Sequence, residues 1–129
     1  GAGGLFGSPQ VAMVSGRDDH GDLQRPAIGL QRSPTDPTVA ATVHDGDFVK
    51  VTRRDGPWAY VVLGGGGVEG WIDDHYLRGE AVRVGPSPRR VRFIAAEPGA
   101  GGALVRVRYS DDGSEEWVSA SSLKEVGAR

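Results

Sequence analysis

The chain has 129 residues, a formal charge of −2 at pH 7 and no cysteine. That length holds one ordinary domain or two very small ones. The near-neutral balance gives no global attraction to nucleic acid or to an anionic membrane surface, and disulfide and thiolate chemistry are excluded. The 21 glycines and 8 prolines favour turn-rich, short-strand architecture over long helices. No apolar run approaches the ~20 residues needed to span a bilayer.

Residues 1–10, GAGGLFGSPQ, lack the charged and apolar regions of a secretion signal and are expected to form a loose tail. VAMV (11–14) is a first short strand, followed by a polar loop, SGRDDHGDLQRPA. A strand beginning near Ile28 meets a proline-punctuated turn at Ser33–Pro37 and returns through Val39–Val43. FVKVTRR alternates at period two, with Phe48, Lys50 and Thr52 on one face and Val49 and Val51 on the other. DGP (55–57) is a turn, WAYVVL (58–63) a strand, Gly64–Gly67 a second turn and VEGWI (68–72) the return strand. DDHYL (73–77) is too short for an α-helix of normal length and suits a 3₁₀ turn.

RVGPSPRR (83–90), with Pro86 and Pro88, suits a joint. After it come a strand (RRVRFIAA), a turn (EPGAGG), an alternating strand (ALVRVRY), an Asp-Gly hairpin signal (SDDGSE) and a last strand and short turn (EWVSASSL). Trp71 and Leu77 are spaced as Trp117 and Leu123 are, and Trp58 stands to Trp71 as Leu104 stands to Trp117. The two halves therefore repeat one plan. Trp71 and Trp117, at matched positions, are expected in the core.

Gly65, Gly67 and Gly70 fit G-x-G-x-x-G, but the pyrophosphate site needs a helix directly after the glycines. WIDDHYL follows instead, so a hairpin tip is the reading. Asp18-Asp19-His20 and Asp73-Asp74-His75 could ligate a divalent ion, but neighbours in extended chain point to opposite faces, and turn chemistry suffices. The serines and the three histidines assemble no triad. No catalytic residue, metal or cofactor is expected. Arg89, Arg90, Arg92, Arg106 and Arg108 make the second half locally basic, offset by Asp111, Asp112, Glu115 and Glu116. Nucleic acid is disfavoured as a partner on that balance.

IGLQRSPTDP, DGDFVKV, DGPWAYVV and GVEGWIDDHYL resemble bacterial-type SH3 domains over roughly residues 25–80. The resemblance puts Trp58 where the peptide-stacking Trp of SH3 domains stands, Tyr76 at the groove Tyr and Asp73 at the groove proline. ALVRVRYSDDGSEEWVSASSL is similar to the Tudor and chromo-barrel group, in which an aromatic cage holds a methylated lysine or arginine. That similarity puts Tyr109 at a common cage position.

The expected fold is all-β: two small SH3-like antiparallel β-barrels in tandem, with a tail at 1–10, a first barrel at 11–83, a linker at 84–90 and a second barrel at 91–127. The two barrels are expected to pack on each other, since each alone has a marginal core. The expected function is non-catalytic recognition of a protein or peptide through an aromatic groove, loops or the inter-barrel cleft. The partner-binding candidates are Trp58, Tyr60, Asp73, Tyr76, Tyr109, Asp111, Asp112 and Glu115. The alternatives are a Tudor-like reader, and a bacterial cell-wall or glycan-binding module or accessory domain of a larger enzyme. No membrane association and an intracellular site, cytoplasmic or nuclear, are expected.

Overall fold

Period-two alternation of β-branched residues writes most of the strands, and glycines or prolines end them. The computed structural model describes residues 10–64, 66–98 and 102–126. The expected N-terminal tail up to residue 9, Gly65, residues 99–101 of the EPGAGG turn and residue 127 lie outside them.

The first sheet comprises β1 (Gln10–Val14), β2 (Ala27–Ser33), β3 (Asp36–His44), β4 (Phe48–Asp55), β5 (Trp58–Leu63), β6 (Val68–Asp73) and β7 (Leu77–Arg78), in the order β3-β2-β6-β5-β4-β1-β7. The second comprises β8 (Glu80–Arg83), β9 (Arg89–Glu97), β10 (Leu104–Tyr109), β11 (Glu115–Ser119) and β12 (Leu123–Lys124), in the order β11-β10-β9-β8-β12. All described pairings are antiparallel, and the chain is all-β in two sheets, one of them a curled half-barrel.

The repeat extends to register. β7-β1-β4-β5-β6 and β12-β8-β9-β10-β11 are the same five-strand order. Each half carries a 3₁₀ turn, Asp74–Tyr76 or Ala120–Ser122, just before its last short strand. The side chains of Asp73 and Ser119 cap these turns by accepting from the backbone N–H of His75 and Ser121. A hairpin, β2–β3, lies between β1 and β4 in the first half, whereas β8 and β9 are joined directly by residues 84–88. The 84–90 stretch is thus no linker between sheets. Its prolines sit in a hairpin loop within the second sheet, and the chain changes sheets at Gly79, between β7 and β8. β8 escapes the sequence pattern because it is short and carries Arg83.

Two apolar clusters fill the structure, and β1 serves both. Ala12 and Val14 join Ile28, Leu30, Val43, Val49, Val61 and Ile72. Val11 and Met13 turn to the other side, with Phe48, Phe93, Val105, Val107, Tyr109 and Val118. Successive strand residues point to opposite faces, so one short strand can wall two cores. Phe48 likewise leaves its neighbours Val49 and Val51 and meets Phe93. Beside this contact, buried Ser15 donates to Glu125 Oε1 at 2.7 Å, and Arg78 Nε lies 3.3 Å from the same oxygen. The segment after β12 is thereby fastened to the first sheet at Glu125.

Trp71 and Trp117 are not core residues. Their neighbours Ile72 and Val118 occupy the inward positions, and Trp117 is 44% exposed. Gly70 explains part of this: a Cβ there would lie 2.8 Å from the Leu30 Cβ and 3.0 Å from the Gln31 oxygen. Its bare backbone lets β2 cross close to β6, and Leu30 fills the core space.

Candidate functional site

Ala59, Val61 and Ile72 take the inward positions of β5 and β6, so Trp58, Tyr60 and Trp71 face out. The register places Arg53, Tyr60, Trp71, Gln31 and Val39 side by side across β4, β5, β6, β2 and β3. The next row holds Asp55, Trp58 and Asp73. Tyr60 and Trp71 meet edge to face with centroids 5.4 Å apart. The Arg53 guanidinium lies over both rings, 4.5 Å from Tyr60 and 5.3 Å from Trp71. Such stacking fixes the guanidinium while leaving its hydrogen-bonding edges to be satisfied.

A cleft of about 570 Å³ opens beside this face, lined in part by Phe48, Lys50, Val62, Ala96, Pro98 and Ala103. Lys50, Val62 and Glu69 form the row between the cleft and the aromatic row.

Tyr76 sits elsewhere. Its ring packs partly against the first core, 5.2 Å from His75 and 5.6 Å beneath Arg25. Trp58 stands on the outer face with Tyr60, and Tyr76 belongs to the 3₁₀ turn that follows Asp73, the cross-strand partner of Trp58. Asp73, on the outer face, spends an oxygen on the His75 N–H at 2.9 Å. Asp74 pairs with Arg54 at 2.6 Å.

In the second half the expected cage residue is inside. Tyr109 is 2% exposed and belongs to the second core. Its hydroxyl donates to Glu116 and accepts from Arg83 at 2.6 Å, while the Arg89 guanidinium covers its ring at 3.7 Å. Burial, and then the Glu116 carboxylate, push the phenol up. Tyr109 is thus not available as a cage wall. Asp111 and Asp112 are exposed at the hairpin tip, and both are held below the usual carboxylate range. The Arg89 guanidinium, donating at 2.9 and 2.7 Å, does so for Asp111, and the Ser114 hydroxyl and N–H do so for Asp112. Glu115 is lowered chiefly by Arg108 and also receives Arg106. Arg89 itself is held above its ordinary value by Asp111. These acids brace the hairpin and the Arg89 lid over Tyr109.

The two Asp-Asp-His runs are spent locally. Asp18 Oδ1 accepts from the N–H groups of His20 and Asp22, and its Oδ2 accepts from Gln24. Among the described residues no group of three or more histidine or carboxylate side chains converges on a point. Gly64, Gly66 and Gly67 after β5 have positive φ, +59° at Gly64 and +91° at Gly67, and a strand follows them where a nucleotide site needs a helix. Among the described residues no helix is long and apolar enough to cross a membrane.

No family model, curated protein or solved structure matches the chain.

Trp71 and Arg53 are the outer-face residues that sequence reasoning missed. Gly70 carried the signal for Trp71: a glycine inside a strand marks close backbone approach, so its inward neighbour space was already taken.

Proposed function

We propose that the chain is a non-catalytic recognition module for a protein or peptide, working inside the cell, and that its docking surface is the outer face of the first sheet around Trp58, Tyr60, Trp71 and Arg53. The observation that carries this reading is the placement of three large aromatics on a solvent-facing sheet surface while a complete apolar core lies on the other side. Rigid, partly buried aromatics beside an arginine are the composition that concentrates binding energy in interfaces. The matching five-strand orders and 3₁₀ turns support a tandem SH3-like plan. The burial of Tyr109 argues against the methyl-reader alternative.

The test is selection of ligands from a displayed random-peptide library on the full chain, followed by affinity measurement with Trp58→Ala and Tyr60→Ala. Each variant should lose about tenfold or more in affinity while keeping its melting temperature within a few degrees. Selected peptides that bind both variants as well as the parent chain would move the docking surface elsewhere.

A further inference from the structure

The repeated plan is complete on one side only. In the first sheet, β6 has β5 on one edge and β2 on the other, Gln31 pairing with Trp71. In the second sheet, β11 stands where β6 stands, and β10 is its one neighbour among the described residues. The difference follows from chain length. Residues 15–47 between β1 and β4 supply the β2–β3 hairpin, whereas residues 84–88 between β8 and β9 can only turn. Among the described residues the edge of β11 is therefore left with unpaired backbone donors and acceptors, the template to which an extended segment adds.

The surroundings of this edge differ from those of β6 in a way that specifies an occupant. Trp71 lies under Arg53 and against Tyr60. At Trp117 the cross-strand neighbour is Arg106, whose guanidinium is engaged by Glu115 at 2.9–3.0 Å. No ring or cation among the described residues covers the Trp117 indole, which is 44% exposed. The same face carries Arg90, Arg92, Arg106 and Arg108 against Glu80, Glu97 and Glu115. Arg92 stands between Arg108 of β10 and Glu80 of β8, and Arg106 and Arg108 share the one carboxylate of Glu115. Arg90 and Arg92 make no ion pair among the described residues. In a chain of net charge −2, this face is a local excess of cations, and like charges facing each other across strands are relieved by an added anion.

We propose that β11 takes an acidic, extended peptide segment of a partner protein as an added antiparallel strand, anchored on Trp117. The occupant holds the place that β2 holds in the first sheet. An aliphatic stem or amide lies against the indole, as Gln31 lies beside Trp71, and acidic side chains point toward Arg106 and Arg108 of β10. Glu116 stands where Gly70 stands and is held by Arg83 and Tyr109, so the segment cannot cross as closely as β2 does and carries a small residue there. This surface is separate from the aromatic face of the first sheet, and Trp58→Ala leaves it intact.

The test uses the full, isotope-labelled chain and a short synthetic peptide of alternating Glu and Val. Its controls are the Lys–Val counterpart and a Glu–Val peptide N-methylated along one edge. Backbone amide shifts and hydrogen exchange are read by NMR. The Glu–Val peptide should shift and protect the amides of residues 115–119 and shift the Trp117 indole signal. Affinity should fall about tenfold or more on Trp117→Ala, and comparably for the Lys–Val and N-methylated peptides. Arg106→Glu, at an exposed position beside Trp117, should weaken the Glu–Val peptide and strengthen the Lys–Val one. The proposal is overturned if the β11 amides do not respond to millimolar peptide, or if the two charge types bind alike. It is equally overturned if β11 pairs with a second copy without peptide, or if single-stranded oligothymidine takes the same face more tightly than the acidic peptide.

Discussion

Phe48 of β4 meets Phe93 of β9 edge to face, ring centroids 5.1 Å apart and planes at 89°. The contact joins strands of different sheets, and Val11 and Met13 of β1 pack into the same cluster. Phe48→Ala should therefore act on both halves. Loss of a buried phenylalanine costs about 3–5 kcal/mol, which lowers the thermal midpoint by many degrees. The parent chain should unfold in a single calorimetric transition and the variant in two, because each half keeps its own remaining cluster. A single, merely shifted transition would mean that the polar fastening at Ser15 and Glu125 couples the halves by itself.

That fastening makes its own prediction. Ser15 is 1% exposed, and its hydroxyl donates to Glu125, which also faces Arg78 and Arg17. Glu125→Ala leaves a buried hydroxyl without its acceptor, a loss of about 1–3 kcal/mol. Denaturant unfolding should show the midpoint falling with little change in slope. Ser15→Ala made in the Glu125→Ala background should add less than it does alone, since the two share one interaction.

Gly70 and Gly85 should respond oppositely to alanine. At Gly70 the new methyl group would press on Leu30 and the Gln31 carbonyl at 2.8–3.0 Å, which costs about 1–3 kcal/mol and loosens β2 from β6. At Gly85 nothing lies within 4 Å of the added carbon. There the main effect is on the unfolded chain, and a gain of about 0.4–1 kcal/mol is expected. Equilibrium denaturation of the two single variants decides the point.

The second half should lose stability in acid. Asp111 and Glu115 are held below their ordinary values of 3.8 and 4.5 by Arg89 and Arg108. A carboxylate with a lowered folded-state pKa contributes stability that is present above its unfolded value and is lost as pH falls through the folded value. The melting temperature of the wild type should thus decline below about pH 4.5, and the decline should be shallower in Asp111→Asn. Parallel curves for the two proteins would show that the Arg89–Asp111 pair adds nothing measurable, as many exposed pairs do.

Tyr109→Phe should cost about 0.5–1.5 kcal/mol, through loss of the hydroxyl that links Glu116 and Arg83. Tyr109→Ala should unfold the second cluster outright, with loss of the dispersed amide signals of residues 91–124 in NMR.

Local pattern was enough to locate most strands, both 3₁₀ turns and the repeat that aligns Trp71 with Trp117. Alternation, turn glycines and capping residues act within a few positions of one another, so they are written in consecutive letters. Alternation also separated Phe48 from Val49. It could not tell which face turns inward, because both faces of β1 and the start of β4 are buried, one in each cluster. Trp71 faces out because Leu30, brought in by the β2–β3 hairpin, occupies the core beside Gly70. Tyr109 is buried because Arg83, Arg89 and Glu116, from three other positions in the chain, close over it. The pairing of β8 with β9 and β12, and the edge left open at β11, depend on the length of each connection and on which strand it delivers. The sequence by itself determined most of the elements and their repetition, because those follow from neighbours along the chain. Only the tertiary structure decided which aromatics are core and which are surface, because that depends on strands the sequence holds far apart.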